Sequence, residues 1–312
     1  MQPLGGVKIS AVGFGTWEAG GGVWGANESD EAVVGAIHAG LDAGITWVDT
    51  AEIYGTGKSE ELVGRATGGR DVFVATKVAP RPSGSGFRAA EVRSACEGSL
   101  ARLGIDAIDL YQLHWPDDEV PIEETWEAMA SLVEAGLARH IGVSNFGTEL
   151  IERCATIHPV ASAQPHFSML HLKHRELVRW CGEQGIAVVA YGTLAYGLLT
   201  GSIDEDTEFD DDDWRSGSGA EMSYYRAMFA PGKLERSLAV VDGLGTIAER
   251  LGISLPQLAL AWTFHQPGVT SAIAGSRDPE HARENAAAGA IELDEPTLAE
   301  IEELLPLGPD FA

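Results

Sequence analysis

The feature that most limits how this chain can fold is a rhythm. Apolar runs of strand length alternate with amphipathic runs of helix length along almost the whole sequence. Strand-like residues 45–49, 71–77 and 108–114 are followed by helix-like 59–65, 89–103 and 122–134. Residues 141–144, 161–164 and 271–274 likewise precede helices at 149–155, 176–183 and 279–287. Residues 186–191 lead instead into a long irregular segment, 201–232, with helices at 238–250 and around Pro256 and Gln257 beyond it. At the start, 7–12 and then 14–17 read as a short hairpin and a first strand. The helix at 31–43 stacks Val33, Ile37 and Leu41 on one face, with Ser29 or Asp30 as its cap and Gly44 as its stop. Counted this way, strand and helix alternate about eight times, the number of a closed parallel barrel of ~250 residues plus insertions. The expected fold is therefore α/β: a (β/α)8 TIM barrel with an N-terminal β-hairpin and a long loop after strand 7, one domain over residues 1–312. No sequence repeat of fixed period accompanies it.

Composition removes several function classes. The formal charge of −26 argues against nucleic acid and against anionic membrane surfaces. It reads as a solubilising surface of the kind seen in salt adaptation. No apolar run approaches the ~18 residues of a membrane helix. Nor does the N-terminus carry a basic patch followed by an apolar core. Cys96, Cys154 and Cys181 are odd in number and far apart, which fits a reducing compartment, and a cytoplasmic location is expected. A monomer or weak homo-oligomer is expected.

A parallel barrel carries its chemistry at the C-terminal ends of its strands. Here the strands end in Trp17, Asp49, Lys77, His114, Ser144 with Asn145, Gln164, Tyr191, and Gly275 with Ser276. Most are polar, each after an apolar run. Lysine is scarce, at 8, 58, 77, 173 and 233, so one inside a strand stands out. An unpaired carboxylate at a buried lip costs several kcal/mol, so Asp49 is expected to pair with Lys77.

The blocks 44–55, Ala75-Thr76-Lys77, Leu113-His114-Trp115-Pro116, Gly142 to Phe146, Gln164-Pro165 and Ala274 to Arg277 resemble, in order, the signature blocks of the aldo-keto reductases. The resemblance runs from the first hairpin to Asn285 and implies NAD(P)H-dependent reduction of a small aldehyde or ketone, or the reverse oxidation. Tyr54 would be the general acid, Lys77 the cation that lowers its pKa, Asp49 the partner that keeps Lys77 charged, and His114 the group that steers the carbonyl.

For the cofactor, the resemblance assigns Ser144, Asn145 and Gln164 to the nicotinamide carboxamide and Tyr191 to stacking on its ring. Gly15, Thr16, Trp17 and Asp49 join them at the near end. The pyrophosphate falls to the loop holding Gly192, Thr193, Leu194, Gly197 and Leu198, where Gly192-Thr193 replaces the more usual Ser-Pro. Gly275, Ser276 and Arg277 open a helix whose free amides favour anions. Arg277 is the candidate for an adenosine 2′-phosphate, with His281 where relatives often carry arginine or glutamine. Glu284 and Asn285 resemble the pair that reads adenine. NADPH is the expected cofactor, with NADH possible. Trp17, Trp24, Tyr54, Phe87, His114 and Trp115 are expected to wall the substrate site, and Trp214 with Tyr224 and Tyr225 to sit in a candidate lid.

Other motifs carry less. Gly57-Lys58-Ser59 lacks the first glycine of a phosphate-binding loop, and Gly142 to Phe146 lacks the last glycine of a hydrolase elbow. His166, His171 and His174 read as a solvated loop rather than a metal site, and Asp210 to Asp213 as hydrated surface. Two rival functions stay open: an NAD-linked sugar or polyol dehydrogenase, and a non-catalytic, cofactor-sensing regulatory subunit.

Overall fold

The computed structural model describes residues 2–22, 24, 29–216, 225, 227–230 and 232–305. Eight parallel strands close a barrel: β3 (Val12–Gly15), β4 (Trp47–Asp49), β5 (Phe73–Val78), β6 (Ile108–Leu113), β7 (Ala138–Ser144), β8 (Ser162–Gln164), β9 (Ala187–Ala190) and β10 (Val269–Gly275), the last pairing back onto β3. Around it run α1 (Asp30–Asp42), α2 (Lys58–Thr67), α3 (Ala89–Leu103), α4 (Ile122–Glu134), α5 (Thr148–Ala155) and α6 (Arg175–Glu183). After the long loop come α7 (Lys233–Leu251), α8 (Leu255–His265), α9 (Pro279–Ala287) and α10 (Glu295–Leu304).

Local chemistry sets these boundaries. Ser29 caps α1 by accepting from Ala32 N, and Ser254 with Gln257 forms a capping box on α8. Gly104 and Gly252 stop α3 and α7 in the left-handed conformation. The α3, α5 and α6 faces turned to the sheet bury Cys96, Cys154 and Cys181 as free thiols.

The hairpin lies earlier than expected. Its strands are β1 (Gln2–Leu4) and β2 (Val7–Ile9), while β3 stops at Gly15 and leaves Trp17 in the following turn. The hairpin closes the barrel's N-terminal mouth: Leu4 and Ile9, both fully buried, join Trp47, Phe73, Leu110, Val189 and Ile273 inside it. Helix α10, which the sequence reading left out, lays Ile301 against the main core. Among the described residues no helix is long and apolar enough to cross a membrane.

Trp47 fills the barrel by crossing it. Its indole Nε1 donates to Ser271 Oγ of β10 at 3.1 Å, so the ring lies across β3, which separates the two strands. A Cβ on Gly13 would collide with that indole. Overpacking of this kind costs about 1–3 kcal/mol. Gly13→Ala is therefore expected to lower the melting temperature by several degrees, and an unchanged melt would mean that Trp47 can step aside.

Candidate active site

Strand tilt brings Asp49 and Lys77 together. In register Asp49 pairs with Ala75, two residues before Lys77, yet the stagger of a closed barrel lets the longer lysine side chain reach back. Lys77 Nζ donates to Asp49 Oδ1 at 2.5 Å and to the Thr50 carbonyl at 2.8 Å. Lysine 77 is wholly buried and Asp49 nearly so. Asp49 Oδ2 accepts from Gln164 Nε2 at 2.9 Å and more weakly from Gln112 Nε2 at 3.4 Å. Burial lowers the Lys77 pKa, and the Asp49 carboxylate opposes that fall. Gln112 is a residue the sequence reading missed. Its signal was there: with Leu110 it occupies alternate positions of a buried strand, where a polar side chain needs a polar neighbour.

Tyr54 sits in the turn between β4 and α2, and three buried hydroxyls pin that turn. Ser59 Oγ lies 2.8 Å from Thr50 Oγ1, and it reaches Thr16 O at 2.9 Å and Thr16 Oγ1 at 2.8 Å. Glycine is required where the turn meets its neighbour: a Cβ on Gly20 would stand 2.6 Å from Gly55 N. Lys77 Nζ lies 5.2 Å from the Tyr54 ring centroid, and the His114 ring packs edge-on to the phenol at 5.6 Å. The Tyr54 pKa is not lowered as expected. Burial first, then the Asp49 charge and Tyr225, push it well above the ordinary value of a phenol. His114 is held neutral, its pKa driven well below the usual range by burial and then by Lys77. Trp115 stacks on it at 3.8 Å and 9°, and His114 Nδ1 has no hydrogen-bond partner among the described residues.

Asp49, Tyr54, His114 and Trp115 open onto a cavity of about 670 Å³, while Lys77 is wholly buried and not part of its wall. Its wall joins Gly15, Thr16, Trp17, Trp24, Asp49, Tyr54, His114 and Trp115 to Ser144, Asn145, Gln164 and Tyr191. It continues through Gly192, Thr193, Leu194 and Gly197 to Gly275, Ser276, Arg277 and His281. Asn145, in the left-handed region at φ 64°, donates to the His114 carbonyl at 3.0 Å and accepts from the Tyr191 hydroxyl at 2.7 Å. Ser144 Oγ donates to Gln164 O at 2.9 Å. Gly192 is explained by His166, whose ring would lie 2.5 Å from a Cβ there. Thr193 fixes its loop through Ile273 O at 2.6 Å.

Several expected residues lie elsewhere. Phe87 is buried in the core between sheet and helices, because Glu52 ties down the loop before it through Ala79 N, Ser85 N and Ser85 Oγ. Leu198 is fully buried in the same core. Glu284 and Asn285 lie outside the cavity wall; Asn285 is buried and the Glu284 carbonyl accepts from Gln257. The first amides of α9 are not free, since Asp278 Oδ1 accepts from Glu280 N and His281 N. The wall also includes Glu18, Arg215 and Tyr225, which the sequence reading did not assign to the cofactor. Trp24 bridges Asp213, and Trp17, Trp24, Tyr196, Trp214 and Tyr225 form one aromatic cluster. Tyr224 lies outside the described residues.

Two segments expected to be hydrated are so only in part. Asp210, Asp211 and Asp212 are exposed, but Asp213 is buried and paired with Arg215 at 2.6 Å. His166 and His171 are buried at 2% exposure and stack 3.9 Å apart, His166 lying beside Tyr191 as well. Among the described residues no histidine, cysteine or acid cluster is arranged to hold a metal.

Two measurements follow. Lys77→Met leaves the Asp49 charge buried and is expected to destabilise the fold by about 3–5 kcal/mol in urea unfolding, with Asp49→Asn restoring part of the loss. Burial pushes His171 down to about 4, below its unfolded value, so the stability it contributes is present above the unfolded value and lost as pH falls. Between pH ~6.5 and ~4 that loss is about 1.4 kcal/mol per unit, and a His171→Phe variant should lack its share of the slope.

A model of the Aldo/keto reductase family matches residues 11–306. Aldo-keto reductase YhdN of Bacillus subtilis (strain 168) is 37% identical over 322 aligned residues, covering 98% of this chain and 95% of that protein. Among solved structures, the glycerol dehydrogenase AKR11B4 from Gluconobacter oxydans aligns with a TM-score of 0.86 at 32% identity, over 99% of this chain and 97% of that one. An aldo-keto reductase from Klebsiella pneumoniae in complex with NADPH aligns with a TM-score of 0.75 at 31% identity, over 99% and 97%. With the barrel and the residues at its rim, these likenesses place the chain in the aldo-keto reductase family, as an oxidoreductase.

Proposed function

We propose that this protein reduces small aldehydes or ketones to alcohols with NADPH, NADH also being accepted, in a site carried by one barrel domain. The observation that carries the reading is the Tyr54 and His114 pair, 5.6 Å between ring centroids, facing one cavity with Ser144, Asn145, Gln164, Tyr191 and Arg277. That donor set fits a nicotinamide dinucleotide: amides and a hydroxyl for a carboxamide, a flat phenol for the ring, and an arginine beyond them for phosphate. The relative crystallised with NADPH supports the same choice. When bound, the dinucleotide supplies the hydride.

The protein's own groups handle the proton and the orientation. Tyr54 gives its phenolic proton to the carbonyl oxygen. The oxygen becomes alkoxide-like, a far stronger base than phenolate, so transfer runs downhill even from a phenol that burial keeps protonated. Lys77 stabilises the phenolate left behind, and Asp49 orients the ammonium at 2.5 Å. A neutral His114 offers an N–H to the same carbonyl oxygen, and Trp115 stacked on it fixes the ring plane. Trp17, Trp24 and Trp115 supply the apolar wall of the substrate end.

A second reading, oxidation of a polyol, is favoured by the likeness to a glycerol dehydrogenase. The same groups serve it, with Tyr54 accepting the proton. Relative rates with glyceraldehyde and NADPH, and with glycerol and NAD⁺, decide the direction.

Tyr54→Phe keeps the shape of the wall and removes the proton. It is expected to lower kcat by about 10²–10⁴-fold while the dissociation constant for NADPH, read by calorimetry, stays within about twofold. Retained turnover would assign the proton to another group.

A further inference from the structure

The far end of the cavity holds a group that the reaction leaves unused and whose charge opposes a phosphate. Glu18, in the turn after β3, shares that end with Gly275, Ser276, Arg277, Asp278 and His281. Its Oε2 would stand 2.5 Å from a Cβ on Gly275, so the carboxylate fills the space a side chain at 275 would need. Burial holds its pKa above the usual carboxylate range, and the fields of Arg277 and then Arg215 oppose that rise in part.

The other charges nearby are already committed. Arg215 donates to both oxygens of Asp213, at 2.9 and 2.6 Å, and to the Tyr196 carbonyl at 3.1 Å, and its guanidinium lies over the Phe209 ring at 4.4 Å. The Asp278 carboxylate caps α9. Arg277, which lines the same end and reaches toward the Trp24 carbonyl at 3.4 Å, is the cation that the cofactor reading gives to a phosphate on the adenosine ribose, and it lies within the field of Glu18.

Building on the cofactor reading above, we propose that Glu18 is a specificity-determining residue whose carboxylate offsets Arg277 and draws the dinucleotide preference from NADPH toward NADH. A phosphate monoester brings close to two negative charges into this end, and Glu18 repels them. A ribose 2′-hydroxyl brings none, and a carboxylate is a good acceptor for it. Glycine at 275 belongs to the same arrangement, because a larger residue there would expel the carboxylate.

The test is calorimetric titration of the purified protein with NADP⁺ and with NAD⁺. Glu18→Gln, which keeps shape and removes charge, is expected to tighten NADP⁺ about tenfold, the size of one screened charge–charge interaction, and to leave NAD⁺ nearly unchanged. The gain should shrink as salt rises and persist, at weaker overall affinity, in an Arg277→Ala background, because the repulsion acts on the phosphate itself. Glu18→Ala, which also removes bulk, should move the ratio the same way. An unmoved ratio of the two dissociation constants, or a gain that salt leaves intact, overturns the role of Glu18. Failure of the unaltered protein to bind either dinucleotide overturns the cofactor reading, and this inference with it.

Discussion

An ammonium and a carboxylate buried inside a parallel barrel set the terms for everything around them. Lys77 has no exposed surface, and Asp49 meets it at 2.5 Å. Removing two ions from water costs several kcal/mol each, and their attraction repays this only when the remaining donors and acceptors are satisfied. The barrel meets that demand from its own strands. Thr50 O takes a second lysine proton, while Gln164 and Gln112 donate to the free carboxylate oxygen. A polar layer is thereby built across β4, β5, β6 and β8 at the one end where the barrel opens. Below it the interior is apolar, filled by Trp47 and closed by Leu4 and Ile9 of the hairpin.

Tyr54 and His114 take part of their environment from that layer. Burial keeps the Tyr54 phenol protonated, and the Asp49 charge in that layer adds to it. Burial, and then the Lys77 ammonium, keep the His114 imidazole neutral, with an N–H to donate. Rigidity comes from short polar links: three buried hydroxyls hold the Tyr54 turn, and Asn145 joins the His114 carbonyl to the Tyr191 hydroxyl. A site held this way loses little entropy when substrate arrives. Of the aromatic cluster, Trp17, Trp24, Tyr196 and Tyr225 line the same cavity, from the loops after β3 and β9, and Trp214 packs behind them.

Much of this was legible before the fold was known. Strand and helix alternation gave the barrel because each segment's apolar pattern is a local property. Asp49, Lys77, His114 and Gln164 were legible because a polar residue ending an apolar run has one physical home in a barrel, its C-terminal rim. Other positions were not legible, for particular reasons. Phe87 looks like a wall residue in a loop, but Glu52 folds that loop inward. His166 and His171 look hydrated by composition, yet stacking and Tyr191 bury them. The amides of α9 look available until Asp278 takes them. For Phe87 and His166 a contact from outside the local window decides, whereas the Asp278 cap is local and could have been read from the chain.

The sequence by itself determined the order of elements, the caps and stops that bound many of them, and the set of polar residues that finish the strands, since these follow from propensity and spacing along the chain. Tertiary structure alone decided which of those residues meet and what their protons do. Tilt and closure of the strands bring Lys77 back to Asp49 across a two-residue offset. Burial then raises one pKa and lowers another. Glu18 faces Arg277 for the same reason: the first and last barrel strands are neighbours only once the ring closes.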